Sequence, residues 1–349
     1  MRAWSAFVIL AALLLAGCGG PKPSPGGLQA MDGDAAHALV AGLVTTAAGE
    51  PRFRVPGTAS HDEAAAWLWD QLQVDGWTPH RQDFAGADYI AMDKGSVAWY
   101  YNNAAYCSAE DKTRLATLTF QNLWAVHDDP DSDQLMLLGA HWDSKRHANE
   151  DKAAPTEPVL GANDGASGVG VLLQLMREVR DQDLDLGFDL GVAFFDGEDG
   201  FEDCHALAGS LVFADRMAPG DVDRFLLLDM VGSKDARFVR ETQSARCDPL
   251  LWGLLDRHAK AGPLADNFPA KTRQVSDDHL PFLAKGVPSV DLIDFGRDGT
   301  AYGFPPEWHT THDTMDAIDA PMLGHVGDLL LGVLTDDGFA AAWPARCVG

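Results

Sequence analysis

"FDLGVAFFDGED", Phe188–Asp199, runs from an unbroken apolar segment into three carboxylates within four residues. The apolar part is too short for a typical helix and has no helical period, so it reads as a strand buried on both faces. Three further segments have the same character: "QLMLLGA" (134–140), "RFLLLDM" (224–230) and "GVPSVDLIDF" (286–295). Between and around them lie helical patterns. "ASGVGVLLQLMREVRD" (166–181) has one apolar face. "SHDEAAAWLWDQLQVDG" (60–76) has a cap at Ser60 and a closing glycine, and the tail over 320–342 is helical. Strands alternating with helices predict a single α/β domain, an open, twisted, largely parallel (mixed) sheet with helices on both faces. Residues 82–118, containing "WYYNNAAYC", read as an irregular insertion. No internal repeat is present.

An acidic run after a strand is by default a solvated loop. Here, however, polar groups collect where each strand ends: "AHWDSK" after the first, "GANDGASG" at the start of the next helix, "DGED" after the second strand and Asp229 at the end of the third. Ligands of open α/β sheets bind outside the carboxyl ends of the strands, which predicts one cleft holding all these acids. Like charges that close raise each other's pKa unless a cation balances them. His141, Asp164, Asp199, Asp229 and His309 offer the nitrogen and carboxylate donors zinc takes. Singly, each has an ordinary role. A lone histidine is more often a hydrogen-bonded structural residue, and Asp164 is placed to cap the helix that follows it. The joint pattern goes beyond such roles.

The chain has 349 residues, 46% of them hydrophobic, and 26 Lys+Arg against 52 Asp+Glu, a net charge of −26. Such acidity opposes binding to nucleic acid and to anionic lipid. Residues 1–17 read as a secretory leader, with Arg2 before an apolar run too short for a comfortable membrane span. "LAGC" (15–18) resembles the bacterial lipobox, which implies cleavage before Cys18, its lipidation, and an exported protein held on the cell envelope through that anchor alone. Residues 18–30 form a flexible tether, leaving 31–349 as the folded domain. Outside the cytoplasm Cys107, Cys204, Cys247 and Cys347 are candidates for two disulfides, with three possible connectivities.

"HWDSK", "GANDGASGV", "FFDGED", "DDHLPFLAKGVP" and "WHTTHDTMDAID" occur in this order at fitting separations. Together they resemble the M28 zinc aminopeptidase clan and, within it, the glutaminyl-peptide cyclotransferases, especially the bacterial ones. The resemblance runs from "FRVPGTASHDEAAAWLWDQL" to the C-terminal helix, about four-fifths of the chain. Two features select the branch. Asp277 precedes Asp278-His279 where aminopeptidases usually have serine, and Trp308 precedes His309 where they more often carry tyrosine.

The resemblance implies a zinc aminopeptidase-like fold and one zinc held by Asp164, Asp199 and His309. Glu198 would be the acid/base, with Asp277 and Asp229 in its hydrogen-bonding network, and Phe304 and Trp308 would line the substrate pocket. The expected substrates are peptides or proteins with N-terminal glutamine, acted on by a monomer. The animal enzymes have glutamate at the position of Asp199, histidine at that of Asp291 and a pocket tryptophan near Cys204; this chain has none of these. The alternative within the clan is an aminopeptidase with two zincs, the second on His141 and Asp229. A non-catalytic peptide-binding lipoprotein would be marked by loss of Glu198 or of a ligand, and none is lost.

Overall fold

Four parallel strands of the central sheet alternate with helices and place the polar strand ends on one side. A computed structural model of the chain describes residues 27–92, 108–199, 206–217, 220–300, 302–340, 342–344 and 346–347. The strands are β1 (Thr78–Ala85), β2 (Thr119–His127), β3 (Leu135–His141), β4 (Asp189–Phe195), β5 (Arg224–Asp229), the short β6 (Arg240–Glu241) and β7 (Thr272–Arg273), and β8 (Ser289–Ile293). The main sheet has the order β1-β2-β4-β3-β5-β8, while β6 and β7 form a separate two-stranded ladder. The β4-β3-β5-β8 portion is parallel; β1 and β2 join it antiparallel at one edge.

Side chains alternate across this sheet. Leu138, Val192, Leu226 and Leu292 enter the large core with the helices Gly33–Val44, Ala166–Asp181 and Ala320–Leu334. Leu137, Phe195, Phe225 and Leu227 enter the opposite layer with Phe213 and Phe282, from the helices Ala208–Arg216 and His279–Ala284. The sheet is therefore covered on both faces, which is why its central strands are nearly continuous in apolar residues.

Helix Ala166–Asp181 has the predicted bounds. Other readings need correction. The cap of the helix Ala59–Gln71 is Thr58, not Ser60: the Thr58 side chain leaves extended backbone and accepts from His61 N at 3.2 Å. Gly76 lies beyond this helix, in the turn before β1 at φ +84°. The C-terminal helix ends at Leu334 and a second starts at Asp337; Asp336 accepts the Gly338 amide and redirects the chain. The described part of the supposed insertion is largely regular: 82–85 belong to β1, and helices occupy Gly86–Ala91 and Ala109–Ala116, the latter opened by reciprocal Ser108–Asp111 capping. "WYYNNAAYC" itself lies outside the described residues, as do the leader, Cys18 and most of the tether.

Of the three disulfide connectivities, the one pairing Cys247 with Cys347 agrees with the structure; Cys107 and Cys204 lie outside the described residues. No described helix is long and apolar enough to cross a membrane.

Candidate active site

His141 is the last residue of β3, Asp229 the last of β5, and Glu198 and Asp199 follow β4. Because these strands are parallel and adjacent, their ends converge. Asp164 joins them from the loop before helix Ala166–Asp181. It is not that helix's cap: the cap position is Gly165, with no side-chain hydrogen bond. Gly165 sits at φ +87°, and a Cβ there would lie 2.7 Å from the His141 ring, so only glycine lets the loop bring Asp164 against the histidine.

Among the described residues three candidate ligand triads result, one of them His141, Glu198 and Asp199. Asp164, Asp199 and His309 offer atoms within 4.8 Å of one another, as do His141, Asp164 and Asp229. His309 Nε2 is 3.2 Å from Asp199 Oδ1 and 3.6 Å from Asp164 Oδ2. His141 Nε2 is 3.0 Å from Asp164 Oδ1 and 3.4 Å from Asp229 Oδ1. Asp164 thus lies between the two histidines. Asp199 Oδ2 and Asp229 Oδ1 are buried without a hydrogen bond. Buried carboxylate oxygens lacking donors, beside imidazole nitrogen, suit a zinc ion. His309 holds its place at φ +54°, a left-handed conformation uncommon for a non-glycine residue.

Glu198 lines the same cavity as Asp199. Burial raises its pKa well above the ordinary value; the charge of His141 opposes this, and Asp277, Asp199 and Asp278 push it higher. Asp199 behaves differently. Burial would raise it, but the His309 hydrogen bond and the charge of Lys145 hold it below its usual range. Burial and the neighbouring Asp164 push Asp229 up to about 6, against the pull of His141. Adjacent residues thus differ: Asp199 is held below its usual range, while Glu198 is pushed the other way. Asp277 is buried, lines the cavity and is also raised, by burial and by Asp229 and Asp278. Its Oδ1 accepts the Asp278 amide, and its Oδ2 has no hydrogen bond. Asp291 lies deeper, 3.3 Å from His279 Nδ1.

The cavity has a volume of about 380 Å³. Its aromatic wall is a stack: Phe304 and Trp308 centroids are 4.3 Å apart, and the Trp308 ring lies 3.8 Å from that of His309. Both sequence-predicted pocket residues are therefore beside the ligand cluster.

Several supporting residues were not among the sequence candidates. Asp143 accepts from the Glu198 and Asp199 amides at 3.0 and 3.3 Å, fixing the loop that carries both. Asp313 does the same for Asn163 and Asp164, at 2.7 and 3.0 Å. Fully buried Arg54 donates to the Leu160 and Gly161 carbonyls at 2.6 and 2.7 Å and to Asp143 O at 3.2 Å, joining two loops beneath the site. Burial lowers its pKa to about 10 against the surrounding aspartates. Asp196, the first acid after the strand of the opening stretch, pairs with His61 at 2.9 Å and takes the Gln121 amide. "WDSK" and "HDTMD" did contain Asp143 and Asp313, but nothing in either motif separates a loop-binding acid from a ligand.

Residues 122–334 match the peptidase family M28 profile. A glutaminyl-peptide cyclotransferase of Drosophila melanogaster is 30% identical over 261 residues, 66% of this chain and 68% of the relative. The chain spans about two thirds of the length of the curated cyclotransferases it matches. Solved bacterial structures are covered almost completely. A glutaminyl cyclase of Porphyromonas gingivalis superposes with TM-score 0.72 at 30% identity, covering 86% of this chain and 96% of that one. A Zn-dependent exopeptidase of Parabacteroides distasonis gives 0.73 at 27%, covering 88% and 99%. With the ligand triads, the acid beside them and the Trp308 wall in one cavity, these similarities lead to one conclusion: the chain belongs to peptidase family M28, on its glutaminyl-peptide cyclotransferase branch.

Proposed function

We infer that the protein is a zinc-dependent glutaminyl-peptide cyclotransferase, converting N-terminal glutaminyl peptides or proteins to pyroglutamyl products with release of ammonia. The observation that carries this reading is one cavity lined by Asp164, Asp199 and His309, by Glu198 beside them and by the Phe304–Trp308 stack. Those three residues would hold one zinc, which when bound polarises the substrate γ-carbonyl. Phe304 and Trp308 hold the apolar part of the glutamine side chain against one wall. This favours the conformer in which the α-amine faces its own γ-carbon, and freezing such a conformer is a large part of an intramolecular reaction's barrier. Glu198 takes a proton from the attacking amine and returns it to the leaving amide nitrogen. The bond from the α-nitrogen to the γ-carbonyl carbon forms, the bond to the side-chain nitrogen breaks, and no water is consumed.

A Gln-initiated peptide should lose the mass of one ammonia; release of free glutamine would contradict the reading. Glu198→Gln should lower kcat by about 10²–10⁴-fold with zinc content unchanged. Zinc loss in that variant would show that the roles of Glu198 and Asp199 are exchanged. A second reading, a two-zinc aminopeptidase, is favoured by the His141–Asp164–Asp229 triad and the exopeptidase-like fold. Metal analysis separates the two: one tight zinc per chain for the cyclotransferase, two that are both required for the peptidase.

The lipobox-like "LAGC" supports export and anchoring to the cell envelope through Cys18. Cys18→Ser should release the protein from the membrane fraction, and retention of the exported variant there would overturn the anchor.

A further inference from the structure

Among the described residues, Tyr302 is the one exposed large hydrophobic side chain, at 71% exposure. It also has φ +53°, in the left-handed region. A bulky residue there carries backbone strain, which persists only where surrounding structure holds it. That structure is present. Arg273, at the end of β7, donates from Nη1 to the Tyr302 carbonyl at 3.2 Å, and its guanidinium lies 5.5 Å from the Phe295 ring centroid. The next residue, Gly303, is also left-handed, at φ +94°, and its carbonyl accepts the Arg297 amide at 3.0 Å. A Cβ at 303 would lie 2.1 Å from Arg273 Nη1 and would displace the guanidinium, and the left-handed backbone there strains any side chain. The turn is thus fixed with an aromatic ring directed to solvent.

The position of that ring is informative. Tyr302 lines the mouth of the active-site cavity and meets Trp308 edge-on, centroid to centroid 5.9 Å. From the ligand cluster outward the rings run His309, Trp308, Tyr302, with steps of 3.8 and 5.9 Å. An extended peptide advances about 3.5 Å per residue. With the glutamine side chain against Trp308, the side chain of the second residue comes within reach of Tyr302.

We propose that Tyr302 forms a subsite for the side chain of the substrate's second residue, selective for aromatic and large aliphatic groups over small ones. The proposal rests on the cyclotransferase reading for the placement of the glutamine. The strained, twice-anchored turn keeps the ring in its binding position before substrate arrives, which reduces the ordering cost of binding.

The test compares Gln-Phe-Ala with Gln-Ala-Ala, using the zinc-loaded protein and the variants Tyr302→Asn and Tyr302→Phe. Asparagine tolerates the left-handed backbone, so the first variant removes the ring without forcing the turn to change. The wild type should show a KM roughly 3- to 10-fold lower for Gln-Phe-Ala, the size expected of an aromatic pair, with kcat similar for both peptides. Tyr302→Asn should bring that ratio close to one, and Tyr302→Phe should restore it. An unchanged ratio in Tyr302→Asn, or an equal fall in kcat for both peptides, would overturn the proposal; the latter would assign the ring to support of Trp308. Calorimetry of both peptides on Glu198→Gln reads the same ratio as binding, independently of turnover. Release of glutamine, or no turnover at all, would therefore count against the cyclotransferase reading, while a lost binding ratio would count against the subsite.

Discussion

The buried carboxylates around the sheet's polar end fall into two populations, distinguished by what their oxygens face. Asp164, Glu198, Asp199, Asp229 and Asp277 line one cavity, and Asp199, Asp229 and Asp277 each keep an oxygen without a hydrogen bond. Below and around them, Asp143 and Asp313 each use both oxygens to take two backbone amides, and Asp196 is engaged by His61 and Gln121. Asp248, on the far side of the chain, opposes the fully buried Arg224 at 2.7 Å. Both populations are buried and acidic, so burial and charge do not separate them. The cavity does: an acid whose lone pairs are filled by backbone amides fixes a loop, while one with an open lone pair in the cavity is available to a cation or a proton. Asp278 and Asp291 also keep oxygens without a hydrogen bond, outside the cavity lining.

The strongest way to break this comparison is to move a residue across it. Asp199→Asn removes a cavity-facing anion and should abolish zinc binding at ordinary concentrations. Turnover should then drop to that of the chelator-treated wild type, which one equivalent of zinc should restore in the wild type alone. Metal content and rate measured together decide it, and a zinc-loaded but slow Asp199→Asn would remove Asp199 from the ligand set. A smaller effect is expected from Asp143→Asn, which keeps the shape but can no longer accept both the Glu198 and Asp199 amides. Loss of an orienting partner of this kind typically costs 10- to 100-fold in affinity or rate, and zinc titration with steady-state kinetics should find that range. Effects equal to those of Asp199→Asn would mean that Asp143 is itself a ligand.

Asp248→Ala tests the other population. It leaves Arg224 buried without its partner and should cost about 3–5 kcal/mol of stability in denaturant unfolding. Turnover per folded, zinc-loaded molecule should be unchanged. The smallest effect concerns pH in the metal-free protein. Burial raises Asp278 to about 7, with the Ser210 hydrogen bond opposing it, against about 3.9 in an unfolded chain. Between these values the folded state binds more protons than the unfolded, so this group's contribution is present below pH 4 and is lost as pH rises through 7. Asp278→Asn should therefore gain on the wild type in melting temperature by a few degrees at pH 7.5 relative to pH 4.5. A gain that is the same at both pH values would contradict the raised pKa.

The strands β3, β4, β5 and β8 were readable because burial on both faces demands unbroken apolar runs, and helix Ala166–Asp181 because its apolar face repeats at the helical period. The edge strand β1, "TPHRQDFA", buries only Phe84, so it carries almost no apolar signal and its second half reads as irregular chain. The candidate ligands were readable as a set because acids and histidines gathered at successive strand ends would repel or go unpaired without a cation among them. Arg54 was not: a lone arginine far along the chain gives no sign that four carbonyls will surround it.

By itself, then, the amino-acid sequence determined the α/β class, the parallel strands and the residues able to bind metal or carry a proton, since these follow from local composition and chemical type. Tertiary structure alone decided which acids keep an open oxygen, which histidine faces which carboxylate, and that Tyr302 stands at the cavity mouth on a strained turn. Those properties depend on neighbours distant in the chain. Asp143 and Asp199 are the same side chain, and only the amides and cavity around each distinguish an anchor from a candidate ligand.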